Sequence, residues 1–279
     1  MSVSVITACK NRAKALSISI ASWIQCDEID EIIVTDWNSD ESIEHMTRFS
    51  KKIKIISVKD EPYFNQPQPL NLAASLVTSD YILKLDCDHV MNPYFNFFEL
   101  HPLEENKLIV GFNSLVDNEF LHPLWGLLYV KTETFRKVGG YNENMGKYYA
   151  VEDDELCTRL MSYGCTPIPM QINKFSTLHI PHTDKDRVKN FESFQKIQKI
   201  LDVEGTNFGE NFNQSLFYNY ATQICKRKNL EDHPLCSKIK KIFEQKTYDQ
   251  LGWIDWYCEP IYKWEITQQD HQIYKAVKI

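Results

Sequence analysis

Three groups of residues in this chain have the types and spacing for chemistry. Asp86-Cys87-Asp88-His89 follows the apolar run Tyr81 to Leu85. Two carboxylates one residue apart, at the end of a buried strand, can present oxygens to one hard divalent cation. Such a cation can bridge a diphosphate and neutralise the charge that builds on a departing nucleotide. Glu152-Asp153-Asp154-Glu155 stands directly before Leu156 to Leu160, which has helical spacing. A helix N terminus favours acids through its macrodipole, but four exceed what one cap needs, and neighbouring acids repel. With Tyr148 and Tyr149 just ahead of them, a carboxyl here can be raised toward the working range of a general base. Third comes His179-Ile180-Pro181-His182, with Asp184 following. One neutral imidazole from it would complete a mixed oxygen–nitrogen shell suited to Mn²⁺.

These groups need a frame that brings them together. Val3 to Ala8 is a continuous apolar, β-rich run, as expected of a strand buried on both faces. Helical spacing over 12–25, a strand at Glu31 to Asp36, a helix from near Asp40, a strand at Ile53 to Val58, a helix over 69–77 and a strand at Tyr81 to Leu85 follow in turn. This alternation predicts βαβ units and a mainly parallel sheet. Strand one then runs into Thr7-Ala8-Cys9-Lys10-Asn11-Arg12, strand two into Asp36-Trp37-Asn38-Ser39-Asp40, and strand four into the Asp86–Asp88 pair. Ligands of open α/β sheets bind in the crevice at the carboxyl ends of the strands, so the three polar clusters converge on one crevice.

After His89 the rhythm changes. We expect a short helix near 93–100, strands near 108–112 and 125–130, and a helix from about Thr132 to the Gly139-Gly140 stop. A helix over 152–163 and two strands flanking 167–179 complete this part. Beyond about 186 the strands are expected to stop, and 186–202, 213–228 and 234–246 have helical spacing. The chain therefore reads as a catalytic domain over 1–185 and a helical C-terminal region over 186–279. The latter is rich in aromatic rings, including Trp253, Trp256, Trp264 and Tyr262, which pack the tail against the first domain or form an acceptor platform or interface.

Composition narrows the classes. The 279 residues suffice for one large domain with an appendage, and the formal net charge of -7 excludes a broad nucleic-acid surface. The N terminus lacks the features of a secretion signal, and no apolar run approaches the length needed to span a bilayer. The expected location is the cytoplasm, with peripheral contact at the inner face of a membrane left open. None of the eight cysteines pairs in a CxxC, so buried, reduced thiols are expected.

The order and spacing of these pieces resemble the inverting GT-A glycosyltransferases of the family 2 type. Their C-terminal half resembles the galactosyltransferase and N-acetylgalactosaminyltransferase branch. The likeness covers roughly 2–185 and rests on SVITACKNR, EIIVTDWNSD, Asn71 in PLNLAAS, DCDH, FRKVGGYNEN, VEDDELCTRL and HIPH. It implies a GT-A fold, a mainly parallel mixed sheet flanked by helices, a Mn²⁺ or Mg²⁺ cofactor, a UDP-sugar donor (Gal, GalNAc, Glc or GlcNAc) and a hydroxyl acceptor such as a glycan. Asp36 and Asn38, with Thr7, Cys9, Asn11 and Arg12, would hold the nucleotide. Asn71, Trp125 and Gly126 would shape the donor pocket. Asp86 and Asp88, with His182, would hold the metal, and Asp86 also meets the donor. Asp153 would be the base, with Glu152 and Asp154 orienting hydroxyls. The chain departs from the family at Asp36-Trp37, where two acids are common, and at Tyr148-Tyr149-Ala150. It departs again at Gln66 and Gln68, where a basic residue often grips the diphosphate; Arg12, Lys84 and Arg187 are the candidate substitutes.

Two other readings compete. A nucleotidyltransferase would also use a sheet, a metal and a nucleotide, but needs a glycine-rich loop after strand one, and the first glycine here is Gly111. A non-catalytic nucleotide-sugar or carbohydrate-binding protein of the same fold is opposed by the retained acids at 86, 88 and 152–154.

Overall fold

The computed structural model describes residues 2–91, 106–111, 126–143, 152–169, 175–177 and 262–279. In chain order they form β1 (Val3–Cys9), α1 (Ala13–Trp23), β2 (Ile29–Trp37), a 3-10 helix (Glu44–Phe49), β3 (Ile53–Val58), α2 (Pro67–Ser75), β4 (Tyr81–Lys84) and β5 (His89–Met91). There follow β6 (Lys107–Val110), β7 (Leu128–Lys131), α3 (Thr132–Lys137), α4 (Glu152–Ser162), β8 (Thr166–Pro169), β9 (Phe175–Thr177), β10 (Trp264–Gln268) and β11 (Ile273–Lys278).

One mixed sheet of nine strands has the order β10-β11-β3-β2-β1-β4-β7-β6-β8, and β5 pairs with β9 in a separate two-stranded sheet. The neighbours β3, β2, β1 and β4 run parallel, whereas β7 is antiparallel to both β4 and β6. Strands β1 and β2 are almost wholly buried, as their largely apolar central residues require. Helix α1 buries Ala15, Leu16, Ser19, Ile20 and Trp23, a stripe at helical spacing. Core side chains divide between the two faces of the sheet, one cluster containing Trp37, Leu70 and Tyr141, the other Trp23, Leu16 and Tyr129.

The structure departs from expectation in three places. Where a helix from Asp40 is expected, the chain forms only the short 3-10 turn at 44–49. Gly126 does not lie in a strand, because β7 starts at Leu128 and Gly126 takes a left-handed turn with φ +84°. And strands do not stop near 186. Residues 264–278 make a hairpin whose β11 adds in parallel to β3, pairing Ile273 with Ile55 and Ala276 with Val58. Its strands carry no apolar run and are largely exposed, and β10 is the edge strand of the sheet. The helical segments expected over 186–246 and 93–100, and the domain boundary near 185, lie outside the described residues. Among the described residues no helix is long and apolar enough to cross a membrane.

Candidate active site

The site grows from the carboxyl end of β4. Its last residue, Lys84, is fully buried. Its Nζ lies 2.8 Å from Asp86 Oδ1 and 3.4 and 3.5 Å from the two carboxylate oxygens of Asp153. Burial opposes the ammonium charge, but Asp153 and Asp86 outweigh it and raise the pKa. Lys84 is therefore a fixed cation between the first acid of the DCD triplet and the second residue of α4.

Three neighbours complete this ring. The Tyr141 hydroxyl donates to Asp153 Oδ1 at 2.9 Å. The Gln66 carboxamide fits with its oxygen accepting from Lys84 Nζ at 3.2 Å and its nitrogen donating to Glu152 Oε1 at 3.3 Å. Gly126 presses its backbone against the group. A Cβ there would stand 2.4 Å from Lys84 Nζ and 3.0 Å from both Asp86 Oδ2 and Asp153 Oδ2. The two carboxylates thus lie no further apart than twice that last distance. Glu152 is buried beside them, its carboxyl pushed up to about 8 by burial and by the negative Asp153. The raised acid is the residue before the expected base.

Helix α4 is anchored by a buried bidentate pair. Arg159 donates to both carboxylate oxygens of Glu155 at 2.6 Å, and also to the carbonyl of Val138. Glu155 therefore serves packing, while Glu152 and Asp153 line the site. Asp154 lies in α4, and its side chain is outside the described residues, as are Trp125, His179 and His182.

Asp86, Asp88 and His89 bring one ligand atom each to within 4.8 Å of one another. The carboxylates fit a divalent ion. His89 is otherwise employed. Its Nδ1 accepts the backbone N–H of Asp86 at 3.1 Å, which leaves the proton of a neutral ring on Nε2. Burial lowers the pKa of His89 despite the nearby acids, so the ring is neutral and braces Asp86. Cys87 turns back toward β1 and donates to the Ala8 carbonyl at 2.8 Å. Asp88 meets Arg12, with Nη1 to Oδ2 at 3.4 Å. Of the three cations that could replace the missing basic residue, Arg12 is partly exposed at the crevice, Lys84 is buried, and Arg187 lies outside the described residues.

At the neighbouring strand end, Asp36 is fully buried and burial raises its pKa. Its Oδ1 accepts the Ser39 N–H, while Oδ2 has no hydrogen-bond partner among the described residues. Asn11 and Asn38 both adopt left-handed φ, at 57° and 52°, a conformation asparagine tolerates. Asn11 accepts from the Asp40 N–H, and its own N–H donates to Ser39. Thr7 and Cys9 are fully buried within the sheet, between the neighbouring strand ends.

Two devices escaped the sequence. Lys10 donates to the carbonyls of Trp37, Asn38 and Glu61, each at 3.1 Å, and ties the strand-one and strand-two loops together. The C-terminal hairpin reaches the same corner. Trp264 packs edge-on against Trp37 with ring centres 5.4 Å apart, Lys278 pairs with Glu61, and its ammonium lies 3.8 Å from the centre of the Tyr262 ring. The local signal for it is slight: WEITQ alternates, whereas IYKAVK neither alternates nor runs apolar. The five described cysteines, Cys9, Cys26, Cys87, Cys157 and Cys165, are buried free thiols, as expected.

A family model for glycosyl transferase family 2 matches residues 4–146, just over half of the 279 residues. The chain belongs to glycosyl transferase family 2. A second model, the N-terminal domain of galactosyltransferase, matches residues 123–192 of this glycosyltransferase. Among solved structures it is similar to a mannosyltransferase from Pyrobaculum calidifontis in complex with GDP-Man and Mn²⁺. The two share 14% identity with a TM-score of 0.51, over 88% of this chain and 84% of that one, a likeness of GT-A fold. No curated relative matches the transferase.

Proposed function

We propose that this glycosyltransferase moves a hexose from a UDP-sugar to a hydroxyl acceptor with inversion, using Mn²⁺ or Mg²⁺. The observation that carries the reading is the meeting of Asp86 and Asp153 across Lys84 at the carboxyl end of the sheet. It sets a carboxylate able to hold a metal beside a carboxylate able to take a proton. The Mn²⁺ and nucleotide-sugar of the Pyrobaculum mannosyltransferase support the same assignment. Asp86 and Asp88 would hold the ion, with His182 as the ligand implied by resemblance, and a bound ion supplies charge neutralisation to the leaving diphosphate.

The chain's own residues do the rest. Asp153, oriented by the Tyr141 hydroxyl, removes the proton of the acceptor hydroxyl. That oxygen forms its bond to the anomeric carbon from the face opposite the diphosphate. The bond from the anomeric carbon to the diphosphate oxygen breaks, and the nucleotide leaves with the electron pair. Glu152, protonated below about pH 8, can donate a hydrogen bond to donor or acceptor oxygens. Arg12 faces the crevice as the cation for the phosphates. Asp36, whose Oδ2 has no hydrogen-bond partner among the described residues, forms the nucleotide side with Asn38 and the segment ending in Asn11 and Arg12, and Gly126 packs against Lys84 and the two carboxylates.

The test is a panel of UDP-, GDP-, dTDP- and CMP-sugars, read by thermal shift and nucleotide release with Mn²⁺, Mg²⁺ or EDTA. Stabilisation and slow hydrolysis of one UDP-sugar, dependent on metal, supports the proposal. A GDP-sugar in that place corrects the donor alone. No binding of any nucleotide would leave the family's chemistry absent from this chain.

A further inference from the structure

We infer that Lys84 is a positioning residue that keeps Asp153 out of the shell of the ion held at Asp86, an inference that rests on the reading just given. Asp86 and Asp153 converge on the same face of Gly126. A divalent ion arriving at Asp86 draws every carboxylate within reach, since hard cations collect oxygen ligands. A carboxylate bound to such an ion has its lone pairs engaged and makes a poor base. The pair therefore needs something that holds Asp153 near the ion but off it.

Lys84 has the place and the charge for that task. It is nine-tenths or more buried, it cannot swing to water, and its ammonium touches Asp86 and both oxygens of Asp153. Tyr141 holds Asp153 from a second side and Gln66 accepts from the ammonium. Gly126 is part of the device, because any side chain there would collide with the Lys84 ammonium. A fixed positive charge 2.8 Å from a metal-holding carboxylate also weakens the site for a bare dication. The negative charge of a diphosphate offsets that repulsion, so the site favours an ion that arrives with its donor.

The experiment is a titration of the full chain with Mn²⁺ alone, followed by calorimetry or by the electron spin resonance of free Mn²⁺. Lys84→Met is expected to bind Mn²⁺ about tenfold more tightly or better, through removal of a near cation and recruitment of Asp153. At saturating donor its turnover should fall about a hundredfold, the scale of a lost general base, while donor KM changes far less than turnover. Most of the gain in Mn²⁺ affinity should vanish in the double variant Lys84→Met with Asp153→Asn. Unchanged or weaker Mn²⁺ binding in Lys84→Met overturns the inference, and so does a gain that persists in the double variant. A merely structural role would lower stability and turnover without tightening the metal. Lys84→Gln, which keeps a polar group among Gln66, Asp86 and Asp153, carries the same expectation where the methionine variant does not fold. Failure of the wild-type chain to release nucleotide would sink the proposed function and leave these metal affinities to be read on their own.

Discussion

Asn71 grips Tyr141 at both ends of its backbone: its Oδ1 accepts the Tyr141 N–H at 2.9 Å, and its Nδ2 donates to the Tyr141 carbonyl at 2.8 Å. Asn71 also donates to Glu143 at 3.2 Å. Through this hold, helix α2 sets the height of the Tyr141 ring, and its hydroxyl reaches Asp153. Asn71 thus reaches the site through Tyr141 and Glu143.

Asn71→Asp exchanges the donating NH2 for an oxygen aimed at the Tyr141 carbonyl and at Glu143. Leaving such buried acceptors opposed costs about 1–3 kcal/mol, visible as a lower denaturation midpoint. Turnover should fall with it, since Tyr141 no longer holds Asp153. An unchanged midpoint would show that the contact carries no weight.

Glu152 gives a pH signature. Its folded pKa, pushed up from the ordinary 4.5 to about 8, lies above its unfolded value, so the folded chain binds the extra proton between them. Its contribution to stability is fully present below about pH 4.5 and is lost as pH rises to about 8. Glu152→Gln mimics the protonated form and removes that slope. Urea unfolding from pH 5 to 9 should show the variant gaining on the wild type as pH rises, levelling above 8. Parallel curves would place the raised carboxyl elsewhere.

The Arg159–Glu155 pair is fully buried. Arg159→Met leaves Glu155 as an uncompensated buried charge, at about 3–5 kcal/mol, and frees the N-terminal turn of α4 that carries Glu152 and Asp153. Calorimetric unfolding reads the stability. Glu155→Gln with Arg159→Met, which removes both charges, should recover a large part of it.

Asp153→Asn should abolish transfer, by about 10² to 10⁴, with donor binding retained. Asp154→Asn should cost far less. The reverse order, in steady-state rates of nucleotide release with acceptor present, would move the base by one residue.

Much of this site is legible in the amino-acid sequence. The strand-end clusters at Asp36 and Asp86 can be read because buried parallel strands are unbroken apolar runs and polar residues mark their ends. The acids at 152–155 stand out by crowding. Contact between distant segments is what the sequence hides. Lys84 looks like an exception in an apolar strand, and only the approach of α4 and Gly126 explains a buried cation there. Asn71 gives no sign in the sequence of the backbone that it meets 70 residues later. His89 is one more polar residue after the DCD until its ring is seen to brace Asp86. The hairpin at 264–278 is the clearest loss, since pairing with β3 across more than 200 residues leaves no mark in either segment, and its strands lack the apolar run that betrays a central one.

The parallel addition of β11 to β3 has a practical side. Parallel strands finish at the same edge, so Ile279 leaves the sheet beside the Asp36 corner, while Ser2 sits at the opposite edge against Asp80. On the proposed function, a bulky label at Ile279 stands on the side of the sheet from which donor and acceptor would come and go. Attachment at Ser2 leaves that side open. A transferase coupled to a support at Ser2 should therefore work faster than one coupled at Ile279.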